Sequence, residues 1–176
     1  MNISPEDFGK LFGSFEREAF RLETLDDYSG SGGVDAYQDF LAGKPQPEAY
    51  KTAGWVNTVR DATAAGKRMY RVHVLSRPLS NYLKFELGWG YVRNQEAGEE
   101  FFIIDTTDGP NPFEGTPDFW AFDDKTVVTM QYGEGGTFLG ADLATEEQAE
   151  EWLSCRDVAM SQAVPFRDWW ELHKPA

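Results

Sequence analysis

Two ionisable residues stand in apolar patterns where an unpaired charge is costly. Glu86 falls among Leu79, Tyr82, Leu83 and Leu87, which share one face of a helix. His73 falls among Met69, Arg71 and Leu75, alternate positions of a strand over Met69–Ser76 whose other face carries Tyr70, Val72 and Val74. A carboxylate on an apolar face must meet a cation or act on a ligand, because burial without a partner is heavily penalised. The expected cations for Glu86 are Arg71 and Arg77. The expected acids for Arg71 are Glu86 and Asp118. Such a set can do general acid–base chemistry, with Glu86 or His73 moving the proton and Tyr82 assisting. The same stretch, Ser76–Tyr91, can also be read as a strand in which Leu83, Phe85, Leu87, Trp89 and Tyr91 alternate. Glu86 then turns to the polar face with Tyr82 and Lys84, and no site results. The helix is preferred, because Pro78 suits a first turn and Ser76 a cap.

Charge is unevenly spread. Arg60–Arg93 holds seven basic residues against Asp61 and Glu86, a net of +5, and Asn94–Asp124 holds nine acids with no Lys or Arg, a net of −9. The two segments either neutralise one another or leave a basic pocket for a small anionic ligand, lined by Arg71, His73 and Arg77. The string "PDFWAFDD", Pro117–Asp124, sets Asp118, Trp120 and Phe122 on one strand face and Phe119 and Ala121 on the other. Trp120 beside Asp118 can wall a pocket with one acceptor. An edge strand with acids in water and turn residues at Asp123 and Asp124 is the slightly preferred alternative. The candidate ligand-binding set is therefore Arg71, His73, Arg77, Tyr82, Glu86, Asp118 and Trp120.

Several function classes are disfavoured. With 16 basic and 30 acidic side chains the chain carries −14, which repels phosphate backbones and argues against direct nucleic-acid binding. Cys155 is the only cysteine, so no intrachain disulfide forms, which suits a reducing cytoplasm. One cysteine and two separated histidines, His73 and His173, give no Cys/His zinc spacing. A carboxylate-bound Mg²⁺ or Ca²⁺ stays open, although no calcium-loop spacing is present and no resident metal or cofactor is expected. "GEGGTFLG" is followed by neither a helix nor Lys-Ser/Thr and reads as a hairpin turn. No G-x-S-x-G elbow occurs. "MNISPEDF" lacks the features of a signal peptide, and no apolar run nears the ~20 residues that cross a bilayer.

The elements that must position these residues form one expected domain over 1–176, since 41% hydrophobic residues in a chain this long fill one core. A helical part spans 1–67. Ser4 caps a helix carrying Phe8, Leu11, Phe12 and Phe15, and Phe20, Leu22 and Leu25 extend the apolar supply. After the loop Ser29–Gly33 come a helix over Val34–Gly43, the connector "KPQP", and a helix over "EAYKTAGWVNTVRDATAAGKR" stopped by Gly66. The sheet part, 68–144, holds the strand Met69–Ser76, a crossover helix from Leu79, a central strand Phe101–Thr107, and a three-strand meander. The meander turns at Asp123-Asp124-Lys125 and at Gly133–Gly136. In 145–176, Thr145 and Gln148 open a helix as a capping box, Pro165 kinks or ends it, and "FRDWWELHKPA" closes as a short helix. The class is α+β, with a mixed or antiparallel sheet of about five strands covered by N-terminal and C-terminal helices.

"FEREAFRLETLDDY", "AAGKRMYRVHVLSRPLSNYLKFELGWGYVRNQEAGEE", "DFWAFDDKTVVTMQYGEGGTFLGADL" and "AVPFRDW" together resemble an actinobacterial, Streptomyces-type family of unknown function. Its pattern is F-E-R-x-A-F-R-L-E-T-L, S-x-P-L-S-x-Y-x-x-F-E, A-G-E and D-F-W-x-F-D. The resemblance brings no activity, but it implies a companion of helix-turn-helix regulators. The core, Arg71 to Leu139, also resembles non-catalytic phospholipase-D-like domains of bacterial regulators. The H-x-K signature of the catalytic enzymes is absent, since Val74 and Leu75 follow His73. The expected function is a cytoplasmic, non-catalytic regulatory or sensor-type module that binds a protein partner or a small anionic ligand. The alternative is a small secondary-metabolism enzyme using Glu86 or His73 as general acid/base.

Overall fold

Helix α1 (Pro5–Ser14) starts as the sequence dictates: the Ser4 hydroxyl accepts from the Asp7 N–H at 3.0 Å, and Pro5 occupies the first position. This is a computed structural model, and it describes residues 1–48 and 54–176. Directly after α1 the chain enters strand β1 (Glu18–Glu23), so Phe20 and Leu22 belong to the sheet and not to a helical segment. β1 is buried on both faces. Arg21 and Glu23 therefore alternate with apolar residues without marking a wet side, and the period-2 signal is masked.

Helix α2 (Val34–Leu41) is followed by Gly43 at φ 71°, and α3 (Gly54–Ala64) by Gly66 at φ 80°, both left-handed stops. The expected start of α3 between Glu48 and Gly54 lies outside the described residues. Strand β2 (Arg68–Leu75) leads to α4 (Asn81–Phe85), a wider π turn over Glu86–Tyr91, and α5 (Val92–Ala97). The helical reading of Ser76–Tyr91 holds from Asn81 onward, but its cap is Ser80, whose hydroxyl accepts from Leu83 N–H at 3.1 Å. Ser76 and Pro78 precede the helix.

Next come β3 (Glu100–Asp105), β4 (Phe119–Phe122), β5 (Thr126–Tyr132), β6 (Phe138–Leu143), α6 (Glu146–Gln162), β7 (Val164–Pro165) and α7 (Phe166–His173). They complete a seven-stranded mixed sheet in the order β6-β5-β4-β1-β2-β3-β7, larger than the expected five. The unforeseen strands are β1 and the two-residue β7. β1, β2 and β3 run parallel, and the remaining pairs are antiparallel. β4 lies between β1 and β5, which corrects the edge-strand reading: Asp118 and Trp120 are buried. The β4–β5 turn places Asp123 and Asp124 at φ 55° and 54°, and Thr145 with Gln148 makes the capping box of α6.

One sheet face packs Phe20, Leu22, Tyr70, Val72, Val74 and Phe119 against Ala149 and Trp152 of α6. The other face divides into zones. Ala19, Met69, Trp120 and Phe122 meet residues of α1 and α3. Leu75, Phe101 and Ile103 meet Leu83, Leu87 and Tyr91 of the crossover and Phe166 and Trp169 of α7. Between these zones the same face carries Arg21, Glu23, Arg71, His73 and Asp118. The β5–β6 turn packs against the Asp27–Tyr28 backbone beside that region because Gly136 has no side chain: a Cβ there would collide with the Asp27 carbonyl oxygen. Among the described residues, no helix is long and apolar enough to cross a membrane.

Candidate functional site

The parallel register of β1 and β2 sets Arg21 opposite Arg71 and Glu23 opposite His73. Two adjacent guanidiniums, one buried and one largely so, require acids, and the fold delivers them from several elements. Arg71 Nη1 meets Glu23 Oε1 at 3.0 Å, and its Nε meets Glu99 Oε1 at 2.5 Å. Glu99 is held from behind by Trp55 Nε1 at 3.0 Å. Gly98, at φ +113°, lets that corner pass within 2.5 Å of Thr63 Oγ1, measured from the Cβ it lacks. Arg21 Nη2 donates to Tyr132 Oη at 3.0 Å and to Asp118 Oδ2 at 3.3 Å. Both guanidiniums stand over Trp120, at 5.8 Å for Arg21 and 5.4 Å for Arg71. Asp118 accepts further bonds from Tyr28 Oη at 2.6 Å, Thr24 Oγ1 at 2.8 Å and Thr24 N–H at 2.9 Å.

The second half of the strip lies at the carboxyl ends of β1 and β2, where open sheets with parallel strands commonly place ligands. The π turn brings Glu86 to it, and such turns recur at functional sites. His73 Nε2 lies 2.9 Å from the Leu25 carbonyl oxygen. A carbonyl only accepts, so Nε2 carries the hydrogen and Nδ1 faces the cluster. Tyr91 Oη lies 3.0 Å from that Nδ1 and 2.7 Å from Glu23 Oε1. With the ring neutral in that tautomer, one phenol hydrogen faces two acceptors. Glu23 Oε2 and Glu86 Oε2 lie 3.9 and 3.6 Å from Nδ1 and are buried, with no donor to them beyond the hydrogen the two carboxyls share when Glu86 is protonated.

Burial and then the Glu23 charge push the Glu86 carboxyl well above the usual range. Burial acts the same way on Glu23, but the Arg21 and Arg71 guanidiniums outweigh it and hold that carboxylate low. Burial, with Asp118 beside Tyr28, Glu86 beside Tyr82 and Glu23 beside Tyr91, raises all three phenols, which therefore keep their protons. A close carboxyl–carboxylate pair facing an imidazole can hold or pass a proton, or it can hold a cation.

Of the residues singled out from the sequence, Arg71, His73, Glu86, Asp118 and Trp120 lie in this strip. Tyr82 flanks it, its ring 6.1 Å from that of Tyr28. Arg77 lies apart, bound to Asp105 at 2.7 Å and to Asp108 at 3.7 Å. The expected pairings change accordingly. Glu86 pairs with neither Arg71 nor Arg77; the acids on Arg71 are Glu23 and Glu99; the cation on Asp118 is Arg21. The basic and acidic segments do meet, through Arg68–Glu100, Arg71–Glu99 and Arg77–Asp105. Arg21, Glu23, Tyr28, Tyr91 and Glu99 escaped the sequence reading. The available signal was the alternation in "EAFRLE", legible only once β1 is taken as a strand.

A cleft of ≈ 490 Å³ opens beside the strip, lined by Thr24, Leu25, Phe113, Asp118, Gln131 and Tyr132 among others. Fold and site together define an α+β protein with a buried ionic strip on one face of a mixed sheet. The chain belongs to the family described as Domain of unknown function (DUF6879), whose match spans residues 6–171. No curated protein matches it. The solved structure titled as a phospholipase D family member, Nuc from Salmonella typhimurium, is similar at TM-score 0.48 and 12% identity, over 92% of this chain and 93% of that one.

Proposed function

We propose that the protein is a sensor-type binding module whose cleft takes a small neutral or cationic molecule. The observation that carries this is Leu25. Its carbonyl fixes His73 Nε2, and the same residue lines the cleft, so a bound molecule that moves the Leu25 peptide acts directly on the buried strip. The cleft's size lies within the range of small-ligand sites. Its lining includes Asp118 and Glu114 and neither Lys nor Arg. Arg71 is occupied by Glu23 and Glu99, and Arg77 by Asp105, which favours a neutral or cationic ligand over a small anion. The net charge of −14 suits a basic protein partner as the reader of the bound state.

A thermal-shift panel of cationic, neutral and anionic metabolites tests this reading, run on the wild type and on Gln131→Trp, which fills the cleft from an exposed position. A cationic or neutral compound should raise the wild-type melting temperature and leave the folded variant unmoved. Stabilisation by anions alone, an equal response of both proteins, or no response in the wild type would count against it.

A further inference from the structure

We infer that Glu23, His73 and Glu86 form a binding site for one divalent transition ion of the Zn²⁺ or Mn²⁺ type. Among the described residues, these three present ligand atoms that all lie within 4.8 Å of one another. The two carboxyl oxygens to which no other residue donates are the same two that face His73 Nδ1, and only a proton shared between the acids serves them when no ion is bound. Glu23 is fully buried, so its Oε2 is cut off from bulk solvent and calls for an internal partner. The separations of 3.6 and 3.9 Å from Nδ1 approach the ligand-to-ligand spacing of about 3.4 Å that tetrahedral bonds of about 2.1 Å require.

The surroundings of the three ligands fit the same assignment. A metal-binding histidine fixes its tautomer by donating its other ring N–H to a carbonyl or carboxylate, and His73 Nε2 does this to Leu25. A ligating carboxylate is steadied through its second oxygen, and Glu23 Oε1 is held by Arg71 at 3.0 Å and by Tyr91 at 2.7 Å. With His73 neutral, the phenol hydrogen of Tyr91 can serve Glu23 or His73 but not both. An ion on Nδ1 removes that shortage by taking the ring lone pair.

Charge points the same way. Fully ionised, the strip sets four carboxylates (Glu23, Glu86, Glu99 and Asp118) against the guanidiniums of Arg21 and Arg71. With Glu86 protonated the excess is one negative charge, and an ion that displaces that proton meets an excess of two, the charge of one divalent cation. The guanidiniums do not occupy the ligand atoms, since Arg71 binds Glu23 through Oε1 and Arg21 binds Asp118. Mixed imidazole and carboxylate donors suit borderline transition ions better than Ca²⁺, which takes oxygen alone. Glu86, 15% exposed, gives the entry edge.

The test uses the full chain, treated with a chelator, dialysed, and titrated calorimetrically with Zn²⁺ and with Mn²⁺. One ion per chain is expected. Glu86→Gln should weaken binding by about tenfold or more, while His173→Gln, which removes the other histidine, leaves it unchanged. No stoichiometric uptake of either ion, or uptake lost in His173→Gln and kept in Glu86→Gln, would overturn the site. If Glu86→Gln does not fold, imidazole ¹⁵N spectra of the wild type decide. Zn²⁺ should shift the His73 Nδ1 resonance and preserve its Nε2–H. A shift confined to His173, or none, overturns the assignment.

Discussion

Asp118 and the Glu23–Glu86 pair are acids buried on the same sheet face, yet their surroundings differ in kind. Asp118 is saturated: Arg21, Tyr28 and both Thr24 donors converge on its two oxygens. Glu23 and Glu86 each turn one oxygen toward a shared histidine, and no residue outside the pair donates to either. A saturated buried acid fixes backbone and side chains in one arrangement. An acid pair with spare acceptors is costly as a structural device, and it is where a cation or a proton has something to do. The lesson is that burial and charge alone do not mark a site; the count of unused lone pairs does.

The comparison breaks most visibly at Asp118. Asp118→Ala takes the carboxylate from the Arg21 guanidinium, the acceptor from the Tyr28 phenol and the shorter of two bonds from each Thr24 donor, and should cost about 3–5 kcal/mol in chemical denaturation. A loss under about 1 kcal/mol would mean the nest is not structural. Tyr91→Phe comes next. It removes a bond to the Glu23 carboxylate, and about 1.5–3 kcal/mol should disappear from the unfolding free energy measured in urea.

Asp105 supplies a smaller effect with a pH signature. Arg77, Trp169 and two bonds from Thr107 hold its carboxyl at about 2, against partial burial, where 3.8 is ordinary. A depressed carboxyl stabilises the fold above its unfolded value, and that contribution fades as pH falls from about 4 toward 2. Melting curves of wild type and Asp105→Asn should differ by about 1 kcal/mol at pH 6, after screening of this partly exposed pair. They should converge near pH 2. A gap that stays constant over that range would break the assignment.

The helices and the meander were legible from caps and turns because those signals are local: Ser4, Gly43, Gly66, Asp123 and the Thr145–Gln148 box act within a few residues. β1 was not, because a parallel strand buried on both faces shows no polar side. Its Arg21 and Glu23 are explained only by partners 48 to 111 positions away. The candidate site was half legible. Apolar neighbours marked Glu86 and His73, but their partner Glu23 sat in a segment read as helical. Arg77 was drawn in by sequence proximity to Arg71, although it follows the end of β2 and turns to Asp105.

The smallest expected effect is the most direct test of the contrast between the two acid nests. Glu86→Gln replaces a spare acceptor with an amide that can donate to Glu23 Oε2, so chelator-treated protein should keep its unfolding free energy to within about 1 kcal/mol. Measured beside Asp118→Ala under the same denaturant, the two variants should separate by about 2 kcal/mol or more. Equal losses in both would show that Glu86 is as structural as Asp118, and would contradict the account.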